Sequence, residues 1–339
     1  MTDALTDHGT TLENLAAGWY VVCASTELRA RQRRVDLFGS TFVAWRCDGD
    51  PVVMPGMCPH MGAALFDGKI VGSTLQCPFH HWRFDRSGRC VAVPDRLPPS
   101  RAAVPPVPVR ETSGYVWAWC GSTPPTHEPP VVPGLHQRRR PLRRFRLADP
   151  TRATVRRILE NTFDPDHLVA LHGLTVTGRT RIDWDEVTGT MPSEGPPERL
   201  DARLSWPSYA QTLGRVSTVL GLNADQFELR VQGWATCQRI EYFADGHRVY
   251  DMVLAVTPIA ADQYIQHINV SVDANGHGPA GWLRSLVHRA EVTVAARQDL
   301  PIFDTLLPGD RHGIYVPGDE ALRRFRRFYH QWVEAAGER

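Results

Sequence analysis

The sequence lacks the features of a membrane-bound or exported protein. No apolar run approaches the ~20 residues that a membrane-spanning helix requires. The opening residues, MTDALTDHGTTLENLAAGWY, carry acids where a secretory signal peptide has a basic start followed by an apolar segment. We therefore expect a cytoplasmic protein without a membrane partner, in a compartment where disulfides are rare.

Cysteine is scarce and the net charge is nearly zero. The seven cysteines are an odd number without the spacing of a disulfide framework, so a functional cysteine here is better explained as a metal ligand. A formal net charge of +1 argues against bulk binding of nucleic acid. Two local basic stretches, 138–146 and 323–328, are candidate docking sites for an acidic partner protein, with solvated helix faces as the alternative.

The first third of the chain is rich in short strand patterns. β-Branched and aromatic residues, separated by glycine and proline, predict strands at 19–25, 41–47, 51–55 and 115–120. The proline-rich segment 121–134 has neither helical nor strand periodicity and is typical of a linker. We therefore predict an all-β domain over residues 15–135, followed by a second domain over 136–339.

The second part predicts helices around a block of strands. Apolar residues recur at helical spacing in 149–163, and two further helical stretches lie at 282–306 and 320–336. Strand-like segments fill the interval from 180 to 272. This order predicts an α+β fold in which helices cover an antiparallel sheet, a helix-grip-like arrangement.

Two cysteines and two histidines in the first part have the spacing of metal ligands. C-x-H is followed, after sixteen residues, by C-x2-H, and we call these residues the cysteine–histidine quartet: Cys58, His60, Cys77 and His80. Such a set can hold tetrahedral zinc or a Rieske [2Fe–2S] cluster. Each pair lies on its own proline-containing loop, which favours the cluster because each loop must offer one ligand to each iron. Zinc and a chance coincidence are the alternatives.

Two histidines stand side by side after the second cysteine. Only His80 fills the C-x2-H position, and consecutive side chains diverge on an extended or turning backbone. His81 is therefore poorly placed to reach the same iron. We interpret it as a residue packed or hydrogen-bonded at the rim of the cluster.

A second constellation, D-x2-H-x4-H, comprises Asp164, His167 and His172. Two histidines and one carboxylate form the facial triad that leaves positions open on Fe(II) for O2. Asp164 followed by Pro165 predicts a helix N-cap and first turn. The histidines are five residues apart, about 140° on an ideal helix, so they converge only if the helix distorts or ends between them. Gly173 offers a plausible end.

The carboxylate ligand must come from elsewhere in the chain. The apolar helical stretch at 294–307 contains Asp299 and Asp304. A carboxylate on such a face needs a partner or a metal to offset its burial. Asp299 lies inside the apolar pattern, whereas Asp304 is nearer the helix end, so we prefer Asp299.

Together these residues resemble the α subunits of Rieske non-heme iron oxygenases, over nearly the whole chain. The resemblance implies that the cysteine–histidine quartet binds the cluster, and that mononuclear iron is bound by what we call the iron triad: His167, His172 and Asp299. It also implies a homotrimer in which Asp164 links His80 of one subunit to the iron histidine of its neighbour. Electrons would come from NAD(P)H through a separate ferredoxin or flavin reductase, and O2 would be the oxidant.

Closer similarity is to the aminopyrrolnitrin oxygenase branch, the arylamine N-oxygenases. The shared segments include CPFHHWRFDRSGRCV and RILENTFDPDH, which contain His81 and Asn161 beside the ligands. This branch has H-H-W where most of the family has glycine in place of His81. The resemblance implies N-oxygenation of an arylamine towards a nitro group.

Other functions remain open at this point. The same iron site would serve C–H hydroxylation, desaturation or oxidative cyclisation of a polycyclic, steroid-like or pyrrolic substrate. A non-enzymatic alternative is a Rieske electron carrier fused to a ligand-binding domain. Several aromatic residues are candidates either for an apolar pocket around a small aromatic substrate or for the core: Trp184, Trp206, Tyr209, Phe227 and Trp234.

Overall fold

The structure is a computed structural model, and its described residues are 15–29, 31–136, 143–172, 175–176, 180–187, 195–210, 224–273, 279–306 and 314–337. The first ten strands are β1 (Gly18–Ala24), β2 (Arg33–Leu37), β3 (Ser40–Cys47), β4 (Asp50–Pro55), β5 (Lys69–Val71), β6 (Thr74–Gln76), β7 (Arg83–Phe84), β8 (Cys90–Ala92), β9 (Val109–Thr112) and β10 (Tyr115–Cys120). They form three antiparallel sheets in the orders β1-β10-β9, β2-β3-β4 and β5-β6-β7-β8. The strands predicted at 19–25, 41–47, 51–55 and 115–120 are confirmed to within a residue.

The remaining strands form one large antiparallel sheet. They are β11 (Arg143–Thr151), β12 (Thr175–Val176), β13 (Arg181–Val187), β14 (Arg199–Ala210), β15 (Ala224–Gly233), β16 (Cys237–Ala244), β17 (His247–Ala260) and β18 (Gln263–Val272). Their order is β11-β18-β17-β16-β15-β14-β12, with β13 also paired to β14.

The helices lie around this sheet. They are α1 (Pro133–His136), α2 (Val155–Glu160), α3 (Pro165–Ala170), α4 (Pro279–Phe303) and α5 (Glu320–Ala336), with 3₁₀ turns at Leu65–Asp67 and Asn161–Phe163. The apolar side of α5 packs on the turn after α2, where the Phe163 and Phe325 rings stack with centroids 4.9 Å apart. The predicted α+β class is confirmed.

The helix predicted over 149–163 is wrong in its first part. Residues up to Thr151 belong to strand β11, which pairs with β18 in the register Thr151–Tyr264. Pro150 is compatible with this strand because β11 is an edge strand, where a missing N–H breaks no ladder on the open side. The helix begins only after Thr154, whose side chain accepts a hydrogen bond from the Arg157 N–H.

A continuous core joins the first sheet to the large one. The buried side chains of Trp19 and Trp117 belong to the same apolar cluster as Phe163 and Val253. The Thr236 hydroxyl donates to the Trp19 carbonyl at 2.7 Å across this junction. The two parts therefore share buried core residues. The domain division between residues 135 and 136 remains a prediction.

Candidate redox and metal sites

The first ligand loop is a tight turn closed by its own backbone. The Cys58 N–H donates to the Ala63 carbonyl at 2.8 Å, and the Gly62 N–H donates to the Cys58 carbonyl at 2.9 Å. Gly62 has φ +73°, in the left-handed region that glycine adopts without strain. This turn buries the Cys58 side chain and leaves His60 at the surface.

The second ligand loop closes in the same way. The Cys77 N–H donates to the Trp82 carbonyl at 2.8 Å, so residues 78–81 project as a turn from the end of β6. His81 has φ +58°, a left-handed conformation that is uncommon for any residue other than glycine. Its side chain is exposed, which agrees with a place at the rim.

The two loops bring the quartet together. The His60 and His80 rings lie side by side with centroids 4.6 Å apart, and Trp82 stacks on His60 at 4.4 Å. Beneath them the Cys58 thiol contacts Cys77, and both cysteines are almost fully buried. Burial raises the pKa of the Cys58 thiol to about 11. A positive charge at this position, such as a bound iron, is needed to hold it as a thiolate.

The spacing of the quartet fits a two-iron cluster better than one zinc ion. Among the described residues, the only group of three such side chains with all ligand atoms within 4.8 Å of one another is His167, His172 and Asp299. The quartet is arranged as two pairs, with Cys58 in contact with Cys77 and the His60 and His80 rings 4.6 Å apart, whereas one zinc ion would gather all four ligands at about 2.0–2.3 Å. A buried thiol pair beside two imidazoles, His60 exposed and His80 half-buried, is the donor set that a Rieske cluster requires.

The iron triad is assembled where α3 ends. The Asp164 carboxylate caps the helix by accepting from the Asp166 N–H at 3.0 Å, and Pro165 occupies the first turn. The helix stops at Ala170, so His172 turns back towards His167 with ring centroids 5.3 Å apart. Of the two possibilities, a distorted helix or one that ends between the histidines, the structure shows the second. Gly173, the suggested end, lies outside the described residues.

Helix α4 supplies the carboxylate. Asp299 Oδ1 stands 3.3 Å from His172 Nε2, and it is a buried oxygen without a hydrogen-bond partner in the described part of the chain. Leaving such an oxygen unsatisfied is costly unless a cation occupies the site. The two imidazoles and the Asp299 carboxylate, with its oxygen that lacks a protein partner, fit mononuclear iron.

The pKa values of the two histidines are shifted in opposite directions. Burial lowers the pKa of His167, which keeps its imidazole neutral and available to a metal. Burial acts in the same direction on His172, but the negative charge of Asp299 at 3.3 Å and the hydrogen bond with Gln298 outweigh it and raise the pKa of His172. A metal cation would displace that proton from the side facing Asp299.

Asp304, the alternative carboxylate, serves another purpose. Its Oδ1 accepts from the Thr151 hydroxyl at 2.6 Å and from the Arg152 N–H at 2.8 Å. These contacts fasten the end of α4 to the end of β11. Asp304 is therefore satisfied by protein donors, whereas Asp299 is not, and the preference for Asp299 agrees with this geometry.

Asp164 orients the iron site through its backbone. The His167 Nδ1–H donates to the Asp164 carbonyl, and the Asp164 N–H donates to the Asn161 carbonyl at 3.1 Å. The carboxylate is thus not needed to orient His167. It remains half-buried, with Oδ1 on the Asp166 N–H, and is available to a second histidine.

Most of the aromatic pocket candidates are core residues. Trp206, Phe227 and Trp234 are buried in the large apolar cluster, and Trp184 lies beneath the Arg324 guanidinium. The side chain of Tyr209 lies outside the described residues.

The two basic stretches are only partly available for docking. In 323–328, Arg324 pairs with Glu186 at 2.9 Å and Arg326 pairs with Glu160 at 2.7 Å. Residues 137–142 of the other stretch lie outside the described part. The sequence did not predict the pair of Glu160 and Arg326, or the contact of Gln298 with His172, because in each case the partner is distant in sequence.

Comparison with known proteins decides the family. Residues 18–108 match the Rieske [2Fe-2S] domain family. The chain is 32% identical to the aminopyrrolnitrin oxygenase PrnD of Pseudomonas fluorescens over 96% of this chain and 93% of that protein. The chain belongs to the Rieske non-heme iron oxygenases.

A solved structure shares the fold, and a second relative is similar over about half of the chain. Pseudomonas putida CBB5 NdmB has the same fold, with a TM-score of 0.74, 16% identity and 97% of each chain covered. A probable 3-ketosteroid-9-alpha-monooxygenase oxygenase component of Rhodococcus rhodochrous is 32% identical over 55% of this chain and 49% of its own length.

Membership of this family settles several expectations. As a Rieske oxygenase the chain is an oxidoreductase with a [2Fe–2S] cluster and mononuclear iron, and the zinc and electron-carrier alternatives are excluded. Oxygenases of this family take their electrons from a reductase or ferredoxin. None of the described helices has the length and apolar character needed to cross a membrane.

Proposed function

We propose that this oxygenase inserts oxygen on the nitrogen of an arylamine. The observation that carries the proposal is the similarity to an aminopyrrolnitrin oxygenase along almost the entire chain. The first oxidation would follow R–NH2 + O2 + 2e− + 2H+ → R–NHOH + H2O, and repetition on the same nitrogen leads towards the nitro compound. The electrons come from NAD(P)H through the reductase.

The quartet would hold the cluster and the iron triad would hold the mononuclear iron. When bound, these groups supply one-electron transfer and activation of O2. The protein orients the ligands: the Asp164 carbonyl holds His167, and α4 presents Asp299 to His172. Asn161 contributes through the carbonyl that anchors the Asp164 backbone, and His81 by shaping the turn beside His80.

A trimer is part of the same proposal. Three apolar side chains on the ligand loops are strongly exposed: Met57 at 47%, Met61 at 65% and Phe79 at 58%. Apolar surface concentrated around the ligand histidines supports a covered interface at this face. A neighbouring subunit that brings its Asp164 to His80 would cover it, as the family resemblance implies.

The substrate class is tested with 18O2. Purified protein, a surrogate reductase and NADH are incubated with panels of arylamines and of polycyclic compounds, and products are examined by mass spectrometry. Label on nitrogen supports the proposal. Label on carbon would favour C–H hydroxylation instead, the second candidate, which the partial similarity to a 3-ketosteroid monooxygenase component supports.

Replacing Asp299 with alanine will remove the mononuclear iron, whereas replacing Asp304 with asparagine will retain it. Asp299 has a buried oxygen aimed at His172, while Asp304 bonds only Thr151 and Arg152 in the described structure. Iron analysis should fall from about three to about two atoms per chain for Asp299→Ala alone. Two iron atoms per chain in Asp304→Asn and three in Asp299→Ala would instead identify Asp304 as the iron ligand.

Replacing His81 with glycine will leave the cluster in place. Glycine adopts φ +58° without the steric cost of a side chain, so the folded protein should gain at most about 1 kcal/mol. The visible absorption and the EPR spectrum of the reduced cluster report the result, with His80→Ala as the control that loses them. Loss of the cluster signal in His81→Gly would make His81 a ligand.

A further inference from the structure

One ligand of the iron triad has its ring oriented by a side chain. His172 Nδ1 lies 3.0 Å from Gln298 Oε1, and its Nε2 lies 3.3 Å from Asp299 Oδ1. Consecutive residues of α4 therefore contact the two nitrogens of one imidazole. His172 is only 6% exposed, so solvent offers its ring little alternative hydrogen bonding.

We propose that Gln298 is a positioning residue that fixes the tautomer and the ring orientation of His172 for iron. An amide oxygen only accepts, so the imidazole proton must lie on Nδ1 for this hydrogen bond to form. The lone pair is then on Nε2, the nitrogen that faces Asp299. The inference rests on the proposed iron triad, and it assigns a role to a residue that does not touch the metal.

The other histidine of the triad does not depend on a side chain in this way. His167 donates from Nδ1 to the backbone carbonyl of Asp164, a group that no substitution removes. Hydrogen-bond partners of this kind set ligand orientation and basicity at metal sites. Of the two imidazoles, His172 is therefore the one whose support can be altered by a single substitution.

The amide also suits the charge of the site. Asp299 already supplies one negative charge within reach of both histidines. A glutamate at position 298 would accept the same hydrogen bond but would add a second negative charge behind His172. Glutamine provides the acceptor while leaving the ligand set with two neutral imidazoles and one carboxylate.

Iron release from the holoenzyme tests the proposal. Gln298→Met removes the acceptor while keeping an unbranched side chain, and release of the mononuclear iron to a chromogenic Fe(II) chelator should accelerate about 10–100-fold. Gln298→Glu should restore slow release, because it retains the acceptor. The EPR spectrum of the nitric oxide adduct of Fe(II) should change in Gln298→Met, since it reports the symmetry of the ligand field.

The neighbouring residue provides a matched control. Arg297 lies on the same helix with a 61% exposed side chain and a long contact of 3.6 Å to Asp149. Arg297→Met should leave the release rate and the EPR spectrum unchanged. Unchanged release and spectrum in Gln298→Met as well would overturn the proposal, as would equally fast release from Gln298→Glu.

These outcomes are separate from the identity of the substrate. The assay uses Fe(II) alone and requires no amine, so loss of the arylamine hypothesis would leave the role of Gln298 intact. A wild-type protein that reconstitutes only the two irons of its cluster would instead contradict the iron triad itself.

Discussion

Replacing Asp164 with alanine will abolish coupled product formation while both metal centres remain bound. The proposed role of the carboxylate is to accept an N–H from His80 of a neighbouring subunit, and alanine offers no acceptor. The His167 ring keeps its orientation because its partner is the Asp164 carbonyl rather than the carboxylate. We expect a loss on the order of 100-fold or more in NADH-dependent product formation. Iron content and the cluster spectrum should stay at wild-type values.

Asp166, two residues further along the chain, is the matched control. Its side chain is exposed, and only its backbone N–H contacts Asp164. Asp166→Ala should therefore retain most of the activity. Normal product formation by Asp164→Ala would contradict the bridging role, and loss of iron from that variant would show that the carboxylate also supports the iron site as the N-cap of α3.

Mixing two inactive variants tests whether the bridge crosses between subunits. Asp164→Ala retains its cluster, and His80→Ala retains its iron triad and Asp164. In a mixed trimer, a His80→Ala subunit beside an Asp164→Ala subunit would combine an intact Asp164 with an intact neighbouring cluster. Activity recovered after co-expression would support electron transfer between subunits. Absence of recovery in confirmed mixed trimers would place the transfer within one chain.

The local parts of the site were predictable because their determinants are close together in sequence. The quartet lies on two short loops, and the N-cap and proline of Asp164–Pro165 dictate where α3 begins. The convergence of His167 and His172 followed from requiring the helix to end between them.

Contacts between distant segments were not predictable in the same way. The choice between Asp299 and Asp304 depends on Thr151, which meets Asp304 only because β11 lies beside the end of α4. The last three residues of β11, 149–151, were taken for helix because they precede a segment with helical apolar spacing, whereas their pairing with β18 makes them strand. Gln298 carried no signal in a single sequence, since its function depends on a histidine 126 positions away.

The largest effect on stability is expected from replacing Glu160, whose ion pair with Arg326 connects α2 to α5. Its carboxylate accepts from Arg156 at 2.8 Å, from Arg157 at 3.1 Å and from Arg326 at 2.7 Å. All four side chains are largely buried. Burial lowers the pKa of Arg157, and the positive charges of Arg156 and Arg326 lower it further. The negative charge of Glu160 raises it and so opposes both effects. The glutamate therefore offsets a concentration of positive charge beside the turn that carries Asn161 and Phe163.

Glu160→Ala should destabilise the protein by about 3–5 kcal/mol, because removing one partner leaves buried charges without the carboxylate they share. The more accessible pair of Glu186 on β13 and Arg324 on the same helix α5 serves as the control. Glu186→Ala should cost no more than about 1 kcal/mol, since both charges are accessible to water. Urea unfolding measures the difference, and hydrogen exchange across residues 155–170 should show that Glu160→Ala loosens the segment leading to Asp164. Equal stability losses in the two variants would mean that other groups stabilise the three arginines without Glu160. The ion pairs of Glu160 would then not be needed to hold the segment that leads to α3.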